Sequence, residues 1–172
     1  FGRTIIESDY RFDYEGAQKT IETKEGPLKN EILKLHQLAS SLRNERFSKG
    51  AISFERPEMK VEVDEAGKPI RVYQKESKDS NWLIEEFMLL ANREVAFFVG
   101  GKGKDSKTFV YRIHEEPNMD KVTILRTFVK HFGYDMSPTK NARELSSEIN
   151  KLLTTVKGRP EESAIEIMAL RS

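Results

Sequence analysis

Apolar residues between Asn81 and Val99 recur at helical spacing and predict a long central helix. Its apolar side chains form two neighbouring lines, one through Leu83, Phe87 and Leu90 and the other through Ile84, Met88, Ala91 and Val95. Together these lines make a stripe that is wide enough for a largely buried helix. Asp79 or Ser80 is expected to cap its start, and Gly100-Gly101 is expected to end it.

Two adjacent carboxylates, Glu85 and Glu86, fall early in this helix. At least one of them must lie near the edge of the buried face, where a carboxylate needs a compensating partner. Glu85 taken alone is most simply a residue that forms a salt bridge.

The same spacing predicts five further helices. They cover residues 14–23, a stretch that starts at Gly26-Pro27 and keeps an apolar face to Leu42, a stretch from Pro117-Asn118 to Gly133, residues 142–156, and a last stretch from Ser163 to Ser172. Residues 44–49 are polar and are expected to lead out of the second helix to Gly50.

Alternation of apolar and polar residues predicts a few short strands. They lie at Thr4-Ile5-Ile6, at Ile52 and Phe54, at Val61 and Val63, at residues 70–73 and at residues 109–113, with a turn over residues 65–68. Few strands among many helices indicate an α+β fold, in which several helices pack around a small mixed or antiparallel sheet. We expect residues 1–172 to form a single partial domain, an internal piece of something longer.

Composition narrows the classes of function. With 29 basic and 28 acidic residues the net charge is +1, which argues against strong independent binding of nucleic acid. The chain contains no cysteine, so disulfides and thiolate metal sites are excluded, and a reducing cytoplasm is the location we expect. No apolar run reaches the length of a membrane span.

Motifs for phosphate or metal binding are weak. The loop at residues 100–107 fails the phosphate-loop spacing, because Gly103-Lys104 is followed by Asp105 and Phe98 stands where a glycine is required. His36, His114 and His131 are far apart, and the acidic residues are dispersed among basic ones, so we expect no metal site in this chain.

Aromatic residues beside basic ones give the remaining functional signal from the residues themselves. Arg11 and Tyr14 flank a helix start, and Phe54 lies near Arg56. A nucleic-acid base that stacks on such a ring gains roughly 1–3 kcal/mol. A core position for Phe54 and a cap-region position for Tyr14 are the simpler explanations.

Several segments, in order along the chain, resemble the catalytic domain of the ribonuclease II/ribonuclease R exoribonucleases, and most of all its ribonuclease R branch. They are residues 11–14 (similar to an Arg-x-x-Tyr motif), 49–54, 83–92, 111–117 and 169–172 (similar to a Leu-Arg-Ser helix). Lys49 departs from the family, which commonly has arginine there, and the loop at residues 100–106 varies in the family.

The resemblance implies that the parent protein is a Mg²⁺-dependent, processive exoribonuclease that hydrolyses RNA from its 3′ end to nucleoside monophosphates. The family's metal-binding aspartates are expected upstream of this chain, and its His-Phe-Thr-Ser-Pro-Ile-Arg-Arg segment downstream. The 172-residue fragment should therefore bind no metal and have no nuclease activity alone. Cold-shock and S1-type domains are expected to flank it in the parent.

The resemblance also assigns roles in positioning single-stranded RNA at its 3′ end. Tyr14 matches a tyrosine that contacts the nucleotide near that end, and Phe54 matches a ring that stacks on the terminal bases. Glu85 matches a glutamate that contacts the ribose hydroxyls, and a carboxylate acceptor suits a 2′-OH donor. Arg11 is expected to contact the RNA backbone, and no catalytic residue is expected within this chain.

The alternative is a non-catalytic RNA- or protein-binding scaffold module that keeps the fold and works as it stands. The coding sequence on either side discriminates between the two. An upstream aspartate cluster and a downstream Ile-Arg-Arg motif would favour the enzyme, and stop codons at both ends would favour the scaffold.

Overall fold

The computed structural model describes residues 2–54, 58–101, 107–113 and 116–172. Within these residues the chain forms six helices and one antiparallel pair of strands. The elements are α1 (Tyr14–Thr23), α2 (Lys29–Ser48), β1 (Glu58–Val63), β2 (Pro69–Lys75), α3 (Asp79–Gly100), α4 (Met119–Lys130), α5 (Ala142–Val156) and α6 (Glu162–Leu170). The α+β class predicted from the sequence is confirmed, and no helix of the described residues is long and apolar enough to cross a membrane.

Contacts divide the chain into two compact units. The first unit holds Phe1–Arg43 and Glu58–Phe109, and the second holds Asn44–Pro57 and Val110–Ser172. α1, α3 and the β-hairpin belong to the first unit, and α4, α5 and α6 belong to the second.

α1 has the predicted bounds because both of its ends are chemically defined. The side chain of Asp13 accepts a hydrogen bond from the backbone N–H of Gly16 at 2.6 Å, which caps the first turn. The helix ends where Lys24 takes a left-handed conformation, with φ of 57°. α2 was predicted to give way to a polar exit at residue 44, and this is wrong, because its helix continues through those polar residues to Ser48.

α3 begins at Asp79, so the prediction that Asp79 or Ser80 caps it is wrong. Lys78 is the N-cap residue, and its backbone N–H donates to the side-chain oxygen of Asn81 at 3.0 Å. Gly101 follows the last turn, as predicted.

The prediction that α3 is largely buried is wrong, because Leu83 is the one buried side chain of its two apolar lines. Leu83 is buried, whereas Ile84 is 44% exposed and Met88 is 60% exposed. α1 packs against α3 but is only ten residues long, so it can cover only part of this 22-residue helix.

The hairpin confirms the predicted turn and returning strand. β1 and β2 pair antiparallel with Val61 opposite Val72, and the register shifts between Glu62 and Val63. The carboxylate of Asp64 accepts from the backbone N–H groups of Ala66 and Lys68 at 3.0 and 2.8 Å and so closes the turn.

The other predicted strands are absent from the described residues. Residues 4–6, 52–54 and 109–113 carry no strand, and Ile5, Ile6 and Val110 are exposed. β-branched residues favour an extended backbone, but a strand also needs a partner for its hydrogen bonds. No such partner is found here within the described part of the chain.

The second unit carries the larger apolar core. α4 and α5 begin at the asparagine caps Asn118 and Asn141, and α6 packs against both helices. The buried side chains of this core are Val122, Leu125, Val129, Met136, Leu145, Ile149, Leu152, Leu153, Val156, Ile165 and Ala169. α5 has the predicted bounds, and its apolar positions are the ones that are buried.

Candidate RNA-end interface

Tyr14 is the first residue of α1 and remains accessible. Its side chain is 46% exposed, and the Nζ of Lys75 lies 5.6 Å from the centre of its ring. Arg11 is also exposed and lies three residues before this helix start. A ring and a phenolic hydroxyl are thus presented beside cationic groups, an arrangement that suits a nucleotide.

Glu85 lies on the second turn of α3 with its carboxylate reaching solvent. Its side chain is 47% exposed, and one of its oxygens lies 3.9 Å from Nη1 of Arg43. An ionised carboxylate only accepts hydrogen bonds, so Glu85 can take a proton donor such as a hydroxyl group.

Glu86 is the carboxylate of the pair that is buried. Its side chain is only 3% exposed, and Nη1 of Arg43 lies 3.7 Å from its Oε1. The guanidinium of Arg43 also lies 4.5 Å from the centre of the Trp82 ring. The expectation that one carboxylate of the pair needs a compensating partner is thus met at Glu86, while Glu85 keeps an accessible edge.

Two polar contacts join the beginnings of α1 and α3. The Nζ of Lys78 donates to Glu15 at 2.9 Å, and the backbone N–H of Ser80 donates to the side chain of Gln18 at 3.0 Å. The hydrogen bond from Glu15, together with its charge, raises the pKa of Lys78. Tyr14 and Glu85 therefore lie on helices whose first turns are linked.

Phe54 lies in the second unit. Its ring is partly buried and packs against the core of α4, α5 and α6, as the simpler explanation from the sequence required. The residue as a whole is only half-buried, so the core contact does not remove Phe54 from solvent. Arg56, named beside it in the sequence, lies outside the described residues.

The described residues do not offer a site that fits a magnesium ion. Among them no group of three or more histidine, cysteine, aspartate or glutamate side chains is placed to hold a metal. His36 approaches the Ser40 hydroxyl at 3.4 Å, and Nδ1 of His131 lies 2.9 Å from the Thr127 carbonyl oxygen. Both histidines thus have local hydrogen-bond partners, while His114 and Glu115 lie outside the described residues.

Sequence reasoning missed the residues that hold the candidate side chains in place. Arg43 is more than 40 residues from Glu86, and its partnership with Glu86 and Trp82 depends on how α2 and α3 meet. Lys78 and Gln18 were missed for the same reason. The C-terminal half of α2 contains two arginines, Arg43 and Arg46, and nothing in the sequence showed which of them pairs with α3.

Comparison with known proteins identifies the family over the full length. Residues 1–172 match the RNB domain. Ribonuclease R 1 of Lactococcus lactis is 30% identical over 99% of this chain, and the match covers 21% of that protein. DIS3-like exonuclease 2 of Schizosaccharomyces pombe is 30% identical over the whole chain, and the match covers 20% of that protein.

Solved structures show the same fold. Mycoplasma genitalium RNase R in complex with double-stranded RNA matches 94% of this chain with a TM-score of 0.76 and 26% identity, over 29% of its own chain. The same enzyme in complex with ribose methylated single-stranded RNA matches with a TM-score of 0.75 and 22% identity, over 25% of its own chain. This chain thus spans about a fifth to a quarter of the length of its relatives, and it belongs to the RNB-domain family of ribonuclease R and DIS3-like exonucleases.

Proposed function

We propose that this chain is the part of an RNB catalytic domain that positions the 3′ end of single-stranded RNA in a processive, metal-dependent 3′-5′ exoribonuclease. The observation that carries the proposal is the match of all 172 residues to the RNB domain. The relatives from Lactococcus lactis and Schizosaccharomyces pombe are named as a ribonuclease and an exonuclease. The structure of a related RNase R has been solved with RNA bound.

Each of the four candidate side chains is proposed to contact a different group of the RNA. Glu85 accepts a hydrogen bond from a ribose hydroxyl, and the 2′-OH is the group that distinguishes RNA from DNA. Tyr14 contacts the nucleotide near the 3′ end, Phe54 stacks on a terminal base, and Arg11 contacts the phosphate backbone. The exposed carboxylate of Glu85 and the exposed ring of Tyr14 support these roles.

Phosphodiester hydrolysis itself is assigned to the longer protein. Two-metal catalysis needs clustered carboxylates, and the described residues of this chain do not supply them. We infer that Mg²⁺ and the catalytic groups are held by other parts of the enzyme, with cold-shock and S1-type domains gripping the RNA. We place that enzyme in the cytoplasm.

The test compares the longer gene product with the 172-residue chain on a 5′-labelled single-stranded RNA. With Mg²⁺, the longer protein should shorten the RNA from its 3′ end and release nucleoside monophosphates, and the chain alone should leave it intact. Cleavage by the purified chain would contradict the division of labour. RNA binding by the longer protein without hydrolysis in any divalent metal would favour the scaffold alternative.

A further inference from the structure

Asn150 of α5 holds a segment that lacks regular secondary structure. Its Oδ1 accepts from the backbone N–H of Ser53 at 3.1 Å, and its Nδ2 donates to the carbonyl oxygen of Ala51 at 2.8 Å. One side-chain amide thus pairs with the backbone of two alternate residues, much as a neighbouring strand would. Among the protein side chains, only asparagine and glutamine carry the donor and the acceptor in this amide form.

The same helix holds the beginning of this segment. The guanidinium of Arg143 donates to the carbonyl oxygen of Ser48 at 2.8 Å. Arg143 and Asn150 are seven residues apart, which is about two helical turns, so they lie on the same side of α5. The backbone from Ser48 to Ser53 is therefore fixed at two points against one rigid helix.

Phe54 follows directly after this fixed segment. Its ring packs against the second unit's core while it stays partly exposed. The two side-chain hydrogen bonds from Asn150 add to the packing of Ile52 and Phe54 on the core, and they restrain the backbone directly before the ring. A stacking platform needs this restraint, since a ring that moves must be ordered again for every base that binds.

We propose that Asn150 is the positioning residue that fixes the Phe54 ring for stacking against an RNA base. The inference rests on the RNA role proposed for Phe54. Asn150 does not touch the RNA in this account, and it acts only through the backbone of Ala51 and Ser53.

The chemistry of the two bonds predicts a graded series of variants. Asn150→Leu keeps a similar volume but loses both bonds. Asn150→Asp keeps an acceptor for the Ser53 N–H but places a carboxylate oxygen against the Ala51 carbonyl. Its loss of base stacking should therefore lie between that of the unsubstituted protein and that of Asn150→Leu. Lys151→Met changes an exposed neighbour on the same helix and serves as the matched control.

The experiment uses the longer gene product without divalent metal, so that RNA is bound but not hydrolysed, and a single-stranded RNA that carries 2-aminopurine at its 3′ end. Stacking quenches the fluorescence of this base, and the titration also gives the affinity. Phe54→Leu should remove most of the quenching and weaken binding by about fivefold or more, since base stacking contributes roughly 1–3 kcal/mol. Asn150→Leu should approach that loss, and Lys151→Met should bind as the unsubstituted protein does.

A double substitution separates positioning from a general effect on structure. If Asn150 acts through Phe54, adding Asn150→Leu to Phe54→Leu should cause little further loss. Additive losses would contradict the proposal. Amide exchange gives a readout without RNA, in which Ser53 should lose protection in Asn150→Leu while buried α5 amides such as that of Leu152 keep theirs.

The outcomes distinguish the RNA role of Phe54 from the positioning role of Asn150. If the unsubstituted longer protein binds the RNA but does not quench the terminal base, the RNA role of Phe54 fails and the proposal fails with it. If quenching is lost in Phe54→Leu but kept in Asn150→Leu, only the positioning role of Asn150 is overturned. Loss in both single variants, with non-additivity in the double variant, supports the proposal.

Discussion

Removing the cation beside the buried carboxylate of α3 should destabilise the first unit markedly. In Arg43→Met the aliphatic stem is largely kept, but Glu86 loses a guanidinium that lies 3.7 Å away. At an effective dielectric constant of about 20, two unit charges at that distance attract by about 4.5 kcal/mol. Glu86 is 3% exposed and Arg43 is 21% exposed, so water replaces only part of this interaction.

The expected net loss is smaller than the Coulomb attraction, because Arg43 no longer has to be desolvated when it is absent. Breaking a buried pair costs about 3–5 kcal/mol, and the partial exposure of Arg43 lowers the expectation to about 2–3 kcal/mol. Loss of the cation–π contact with Trp82 is included in this figure.

Urea unfolding followed by the fluorescence of Trp82 provides the assay. Trp82 is the single tryptophan, and it lies beneath the Arg43 guanidinium, so the signal reports on this part of the first unit. Arg93→Met is the matched control, because Arg93 forms an exposed pair with Glu94 at 3.4 Å and should cost less than about 1 kcal/mol.

A double substitution refines the same test. Arg43→Met combined with Glu86→Leu removes both charges and should recover part of the lost stability. If the free energy of unfolding of Arg43→Met lies within about 0.5 kcal/mol of that of the unsubstituted chain, the Arg43–Glu86 pair does not stabilise the first unit. The same conclusion follows if Arg43→Met is no less stable than Arg93→Met.

Two further predictions concern pH and the hydrogen bond that the Tyr134 hydroxyl donates to Glu161 in the second unit. That bond lowers the pKa of Glu161 below its ordinary 4.5. Its contribution to stability is therefore present above pH 4.5 and is lost as the pH falls through the lower folded value. Tyr134→Phe should make unfolding less sensitive to acid below pH 4.5. The same bond raises the pKa of Tyr134 above its ordinary 10.0, so its contribution is complete below pH 10 and is lost as the pH rises through the higher folded value. When the thermal unfolding temperature is measured against pH, Glu161→Gln should reduce its fall at alkaline pH. An unchanged pH dependence in both variants would contradict these assignments.

The sequence predicted best the elements that are defined by local chemistry. α1 and α5 have their predicted bounds because each combines helical spacing with a side-chain cap, Asp13 or Asn141. The hairpin was predicted because alternation flanks a turn that Asp64 closes through its own backbone neighbours. In each case the deciding interactions lie within a few residues of one another.

The predictions that failed depended on distant partners. Thr4-Ile5-Ile6 has the residue types of a strand, but no strand pairs with it in the described residues. The line through Ile84 and Met88 has the spacing of a buried face, but both side chains are exposed. Periodicity shows which residues share a face, and it does not show what covers that face.

In the candidate site, too, the residues that depend on distant partners were not predicted. The resemblance named Tyr14, Phe54, Glu85 and Arg11, and their RNA roles stay predictions. The residues that support them could not be read from the sequence, because Asn150 lies 97 residues from Ser53 and the two meet only when α5 folds against that segment.

The proposal that Glu85 binds the ribose 2′-OH of an RNA end can be tested directly. Binding of the longer gene product, without divalent metal, is measured against two oligonucleotides that are identical except for a 2′-OH or a 2′-H on the nucleotides at the 3′ end. Glu85→Gln is compared with Glu94→Gln, another exposed glutamate of α3. A hydrogen bond to a charged group contributes about 1.5–3 kcal/mol, so the unsubstituted protein should prefer the ribose by about tenfold or more. Glu85→Gln should lose most of that preference and Glu94→Gln should keep it, whereas an equal preference in all three proteins would contradict the account.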